Sequence, residues 1–216
     1  MARPYLNRLS RLHSDASGIA LVEFAYSLPL MVGLMLGGVE LSHYVTTKMR
    51  VSQLALHVAD HSARIGSGTL LSSKRISETQ INDVLTGAGL QARELDLYTN
   101  GRVVMSSIEL DTANSTNNNK KYKVAWQRCR GSATYQPQYA QAGQANRPGF
   151  GPNSTIKAPM DDGATIFVEI YYEYQPIIWS VFNDKTFVEI AAMPVRDRRD
   201  LSQIYNIEGA SVSTCA

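Results

Sequence analysis

The sequence predicts an α+β fold: one long N-terminal helix, apolar and then amphipathic, packed on an antiparallel sheet of about four to five strands. Three observations predict it. From Ile19 to Val39 the chain carries a single side chain charged at neutral pH, Glu23. Apolar residues then recur at spacings of three, four or seven until Gly66-Ser-Gly68. Beyond them, runs of alternating apolar and polar residues recur between turn signals. A helical period first and a period of two afterwards segregates helix from sheet.

Residues 1–18 form a polar, basic leader, with Pro4, Arg3, Arg8 and Arg11 set against one acid, Asp15. Residues 19–39 follow as an apolar span. At about 1.5 Å per residue a helix there rises roughly 30 Å, the hydrocarbon thickness of a bilayer. A basic flank stays on the cytoplasmic side, so the remainder of the chain is expected to cross. A cleaved secretory signal has a shorter apolar core and a small-x-small site, which this run lacks. A buried core helix needs no basic leader.

Glu23 needs its own account, because a carboxylate in a membrane costs about 3 kcal/mol on insertion scales and usually has a partner. One reading lets it snorkel to the interface or take up a proton. The other places a cut between Gly18 and Ile19. The freed ammonium of a neighbouring subunit then pairs with Glu23 and removes two lone charges from lipid. Pro29 lacks an N–H and is expected to free the Ala25 carbonyl, kinking or loosening the helix. Gly33, Gly37 and Gly38 include a Gly-x3-Gly spacing that lets another helix approach closely, although glycine is common in membrane helices generally.

Gly18, four residues, then Glu23 and the aromatic Phe24, behind a basic leader and ahead of an apolar helix, resembles the processing site of type IV pilin-like proteins. The longer string Ala20-Leu-Val-Glu-Phe-Ala25, with Pro29 and Gly38-Val-Glu40, resembles most the TadE-like minor pseudopilins of tight adherence (Flp-type) pili. The resemblance covers residues 16–45. Flp major pilins carry Glu-Tyr where this chain has Glu23-Phe24 and are little more than the helix, so both departures favour a minor component. The resemblance implies a pilin-like fold, cleavage after Gly18 by a prepilin peptidase, and Glu23 and Phe24 as assembly and register residues. It implies as partners the peptidase, other pilin and pseudopilin subunits, an inner-membrane assembly platform and the lipid bilayer. The expected location is the bacterial inner membrane, N-terminus cytoplasmic and C-terminal domain periplasmic, with passage into an extracellular pilus. The implied role is structural, in pilus assembly or surface adhesion. A permanently anchored periplasmic scaffold or ligand-binding domain of a secretion apparatus is the second reading, and an anchored enzyme the third.

Residues 40–65 continue the span as an amphipathic helix, with Leu41, Tyr44, Val51, Leu54, Val58 and Ile65 on the apolar face and Lys48, Arg50, Gln53, Asp60 and Arg64 opposite. One helix from Ile19 to Arg64 is therefore expected. His57 and His61 share a helical face, but Val58 stands where a His-Glu-x-x-His site needs its glutamate, so a solvated or packed pair is the better reading.

Residues 66–216 are read as a single α+β domain, about 150 residues being enough for one core. Ser77 to Leu85 predicts a short capped helix with Gly87 past its end. Leu95 to Tyr98 reads as a first strand with a hairpin turn at Asn100-Gly101. Val103–Leu110 and Lys121–Gln127 read as two half-buried strands around the polar loop Asn114–Asn119. Residues 131–163 form a long loop whose Tyr135, Tyr139 and Phe150 either meet another subunit or fold back on the sheet. Ala164–Tyr174 is the clearest strand. A turn at Asn183-Asp184 leads to another strand, Phe187–Val195, and Arg196-Asp-Arg-Arg-Asp200 reads as a solvated exit.

The 216 residues are 44% hydrophobic with a net charge of +2 and no basic stripe, which argues against nucleic acid as a partner. Cys129 and Cys215 both fall on the non-cytoplasmic side, where a disulfide forms and persists, with two unrelated thiols as the alternative. No nucleophile elbow, phosphate loop or dinucleotide fingerprint occurs. No catalytic residue, cofactor or metal is assigned. Asp161-Asp162 reads as a solvated turn rather than a cation site. Glu169 and Glu173 read as an exposed sheet face.

Overall fold

The computed structural model describes residues 17–69, 72–159, 163–178 and 184–215. The leader residues Arg3, Arg8, Arg11 and Asp15, the Asp161-Asp162 pair and Asn183 lie outside the described residues.

Helix α1 is Ser17–Arg64, 48 residues, and it runs continuously through Pro29. At the usual rise it is about 70 Å long. Residues 18–39 stand clear of the domain. From Glu40 one stripe turns inward, burying Glu40, Thr47, Val51, Leu54, Ala55, Val58 and Ala59. Leu41, expected on that stripe, is instead 56% exposed, because the stripe begins one residue earlier. The helix ends where Gly66 adopts a positive φ of 133°, a conformation that favours glycine. Its last carbonyls do not face water. Arg199 Nη2 donates to the carbonyls of Ser62 (3.3 Å), Ala63 (3.2 Å) and Ile65 (2.6 Å). The expected solvated exit is therefore corrected at this residue: Arg199 is buried, and it caps a helix C-terminus whose partial charge suits a cation. Burial pushes its guanidinium down to about 10.

Helix α2 is Glu78–Ala92, opened by a capping box. Ser77 Oγ accepts from the Gln80 amide (3.3 Å), and Gln80 Oε1 accepts from the Ser77 amide (3.1 Å). It runs through Gly87 rather than stopping before it, since Ile81, Leu85, Ala88 and Ala92 form a buried stripe against α1. The expected strand at Leu95–Tyr98 is a 3-10 turn, Arg93–Leu95, and a short helix α3, Leu97–Asn100. Asp96 sits between them in the left-handed region, and its carbonyl accepts from the Thr99 and Asn100 amides. This geometry buries both Leu95 and Leu97.

The sheet comprises β1 (Gly101–Leu110), β2 (Tyr122–Arg130), β3 (Ala164–Glu173) and β4 (Thr186–Pro194). Its order is β2-β1-β3-β4, every pair antiparallel. Gly101 opens β1 instead of closing a hairpin; a Cβ there would lie 2.4 Å from the Tyr171 carbonyl oxygen. One sheet face carries Val103, Met105, Ile166, Val168 and Ile170 into a core shared with α1 and α2. The other face is covered too. Phe150 packs with Ile108, Tyr122, Val124 and Phe167, and Tyr135 packs with Val104 and Cys129. The segment 131–159 thus folds back as a third layer, and β1 is buried on both faces rather than half-buried.

The edge strand β2 is shielded by the same segment. The Val124 and Tyr122 amides donate to the carbonyls of Gln144 (2.8 Å) and Arg147 (2.7 Å), and the Cys129 amide donates to the Ser213 carbonyl (2.9 Å). A disulfide joins Cys129 to Cys215 across 86 residues of sequence. It pins the C-terminal tail along the sheet edge. In the chain-entropy treatment a loop of this size contributes about 4.5 kcal/mol. The double variant Cys129→Ser, Cys215→Ser should therefore lose most of that in denaturant unfolding, and a reducing agent should destabilise the native chain equally.

Candidate functional site

The apolar half of α1 is exposed all round. Ile19, Leu21, Phe24, Tyr26, Leu30 and Leu34 point in every direction around the axis, and none touches the domain. A helix without a polar face is covered by lipid or by other apolar chains. Gly18 and Ile19 lie in its first turns; a Cβ on Gly18 would meet no atom within 4 Å. Glu23 and Phe24 are exposed on the same accessible stretch. Within one subunit the structure does not bring Gly18, Ile19, Glu23 or Phe24 to the domain. Gly33 and Gly37 are half-buried and share a face with Glu40, at i, i+4 and i+7. A Cβ on Gly33 would meet nothing within 4 Å, so the helix is open to a neighbour at that position.

The junction between helix and domain is built on Glu40. Its side chain is fully buried at the last turn of the apolar run. Oε1 accepts from the Tyr174 hydroxyl at 2.7 Å, and Oε2 accepts from the amides of Ile177 (3.2 Å) and Ile178 (2.8 Å). The Tyr174 ring packs at 5.5 Å on His43 and edge-on at 5.2 Å on Tyr44. Burial, and then the Glu40 carboxylate, push the Tyr174 phenol up, so it stays a donor at neutral pH. Sequence reasoning used Glu40 only as part of a string. A signal was present: counting back from Val51, Thr47 and Tyr44 in helical steps lands on Glu40, an acid on the domain-facing stripe.

A second buried carboxylate organises the opposite layer. Glu169, expected on an exposed face, has no solvent exposure. It accepts from the Tyr135 hydroxyl (3.0 Å) and from the amides of Gln138 (3.0 Å), Tyr139 (3.3 Å) and Ala140 (3.0 Å). Burial pushes its carboxyl up, and the donors oppose that shift. Its acceptor capacity is spent on structure, which suits a clamp rather than an acid or base for catalysis. Glu173 on the same face is exposed. A third carboxylate, Glu78, is buried at the start of α2 and paired with Arg128 of β2, whose Nε lies 2.9 Å from Glu78 Oε2.

His57 and His61 are exposed, with ring centroids 6.4 Å apart. Among the described residues no group of three or more histidines, cysteines or acids is placed to hold a metal. The family model for TadE-like protein matches residues 18–60. That stretch takes in the apolar run, Glu40 and much of the buried stripe, and it stops before α2 and the sheet. No curated protein and no solved structure matches the chain.

Proposed function

We propose that the chain, TadE-like over residues 18–60, is a minor pilin or pseudopilin subunit of a tight adherence pilus. The observation that carries this reading is the separation of the two halves of α1. One half is fixed into a domain, and the other is apolar on every side and free of it. In this reading the chain is inserted in the inner membrane with its N-terminus cytoplasmic and its disulfide-bonded domain periplasmic. A prepilin peptidase cuts between Gly18 and Ile19. Glu23 then meets the new ammonium of Ile19 on an adjoining pilin or pseudopilin, and Gly33 and Gly37 allow close helix contact. The protein acts by packing, not by catalysis, and works with the inner-membrane assembly platform in pilus assembly or surface adhesion.

The test is the N-terminus of the mature chain, read by mass spectrometry after co-expression with the cognate peptidase. A chain beginning at Ile19 is expected. An intact leader in a strain that still makes pili overturns the reading and selects a permanently anchored scaffold.

A further inference from the structure

We propose that the outer edge of β4 pairs with β4 of a second copy of this chain in the same membrane, the two strands running parallel. The sheet has two edges. The β2 edge is completed by the chain's own extended segments, through Gln144, Arg147 and Ser213. The β4 edge is left open. Its bonds to β3 include the Lys185 carbonyl accepting from the Tyr174 amide (2.8 Å) and the Val195 amide donating to the Ala164 carbonyl (2.9 Å). Bonded pairs alternate along an antiparallel ladder, so the odd-numbered residues of β4 turn their backbone groups to β3. Val188, Ile190 and Ala192 aim N–H and C=O outward, and among the described residues no backbone group meets them. A row of outward donors and acceptors is a template for another strand.

Helix α1 borders this edge with an apolar row. Leu41 (56%), Val45 (47%), Met49 (57%) and Leu56 (45%) are exposed, and steps of four, four and seven put them on one helix face. Lys48 stands on the same side, in helical step with Leu41 and Val45, and its Nζ lies 4.0 Å from Glu189 of β4. The direction of the second copy follows from α1, and here the proposal rests on the reading of residues 19–39 as a membrane span. Glu40 is tied to Tyr174 ahead of β4, Lys48 to Glu189 within it, and Ile65 to Arg199 beyond it, so α1 and β4 run the same way. Two copies in one bilayer point α1 alike, and their β4 edges meet in parallel. An antiparallel pair sends the two spans to opposite ends. When like edges meet in parallel, one sheet is turned over relative to the other. Val188, Ile190 and Ala192, half-buried on the outer face, then lie beside the α1 row of the other copy. Parallel bonding also staggers the strands by one residue, which sets an Asp184 opposite a Lys185 at the head of the pair. Each copy brings both the open edge and the apolar cover, which is why the occupant is a second copy.

The experiment uses the full chain, disulfide intact, in vesicles of phosphatidylethanolamine and phosphatidylglycerol. A nitroxide is placed on Thr186→Cys or on Pro194→Cys, both exposed in one copy, and label-to-label distances are read from dipolar coupling. Strands about 5 Å apart in parallel should hold like labels within about 15 Å at both positions. Antiparallel pairing about Ile190 holds them about 27 Å apart and overturns the proposal, as does a lack of coupling. Two variants locate the contact. Ile190→Pro removes an outward amide and no bond to β3. Met49→Glu places a charge in the α1 row and should leave the thermal midpoint unchanged. Each is expected to cut the coupled fraction at least about fivefold. Short distances that survive both variants overturn the β4 edge as the contact. A label on Leu30→Cys reports the span through collisions with a water-soluble nickel chelate. Leu30 shielded with no coupling at β4 overturns the pairing alone; Leu30 open to nickel overturns the span and the parallel pairing with it.

Discussion

Replacing Glu169 by alanine should destabilise the domain by about 4 kcal/mol and loosen the segment that covers the outer sheet face. The substitution takes the acceptor from a phenol and three amides that converge on a fully buried carboxylate. Each buried donor left without an acceptor costs about 1–3 kcal/mol, and part of that returns as the segment shifts to find water. The loss should therefore be smaller than the sum and accompanied by motion. Amide exchange at Gln138, Tyr139 and Ala140 should rise toward unprotected rates while Val103 and Val168, on the helix side, stay slow. Glu169→Gln keeps one acceptor oxygen but turns an NH2 toward the same donors, so about half the loss is expected. A denaturation midpoint within about 1 kcal/mol of the wild type for Glu169→Ala would remove the clamp from this account.

Much of the architecture is legible in the sequence, and the reason differs by element. The run to Val39 and the helical stripe to Arg64 follow from composition and period, and Gly66 supplies the stop, so the bounds of α1 agree closely with expectation. Strand β3 is found at the run expected as the clearest strand, and β4 at the run expected after the Asn183-Asp184 turn. What periodicity misreads are the buried charges. Glu169 and Arg199 count as solvent-facing in any pattern of apolar and polar residues, and helical steps put Glu40 on the buried stripe without showing its partners. Their burial is set by partners 29 to 138 residues away in sequence, chiefly backbone amides and carbonyls that no side-chain pattern reveals. Leu95–Tyr98 fails for a local reason: Asp96 accepts a left-handed conformation and turns two leucines into the same core. The candidate site is legible where it is a linear string, at Gly18, Ile19, Glu23 and Phe24. It is hidden where it depends on the β3–β4 connection returning to the helix.

Glu23 and Glu40 of α1 should separate assembly from folding. Glu40→Ala is expected to cost about 3 kcal/mol, because the Tyr174 hydroxyl and the amides of Ile177 and Ile178 lose their acceptor in a buried junction. The domain should still fold, since the cores against α2 and beneath residues 131–159 do not involve Glu40. Its thermal midpoint should drop, and the connection should become open to proteolysis. Glu23→Ala should do the opposite. Glu23 is exposed and has no tie to the domain, so domain stability should stay within about 0.5 kcal/mol of the wild type. If Glu23 answers the Ile19 ammonium of a neighbour in a medium of low dielectric, losing it leaves that ammonium unpaired, a penalty of about 3–5 kcal/mol for a buried pair. Incorporation into purified pili should then fall by at least about a hundredfold, with cleavage after Gly18 unchanged. Measuring midpoint, cleavage and incorporation on both variants gives each carboxylate its own signature. A Glu23→Ala subunit that is cut normally and enters pili at the wild-type level would leave the accessible end of the helix with no electrostatic role, and apolar packing alone would have to set the register.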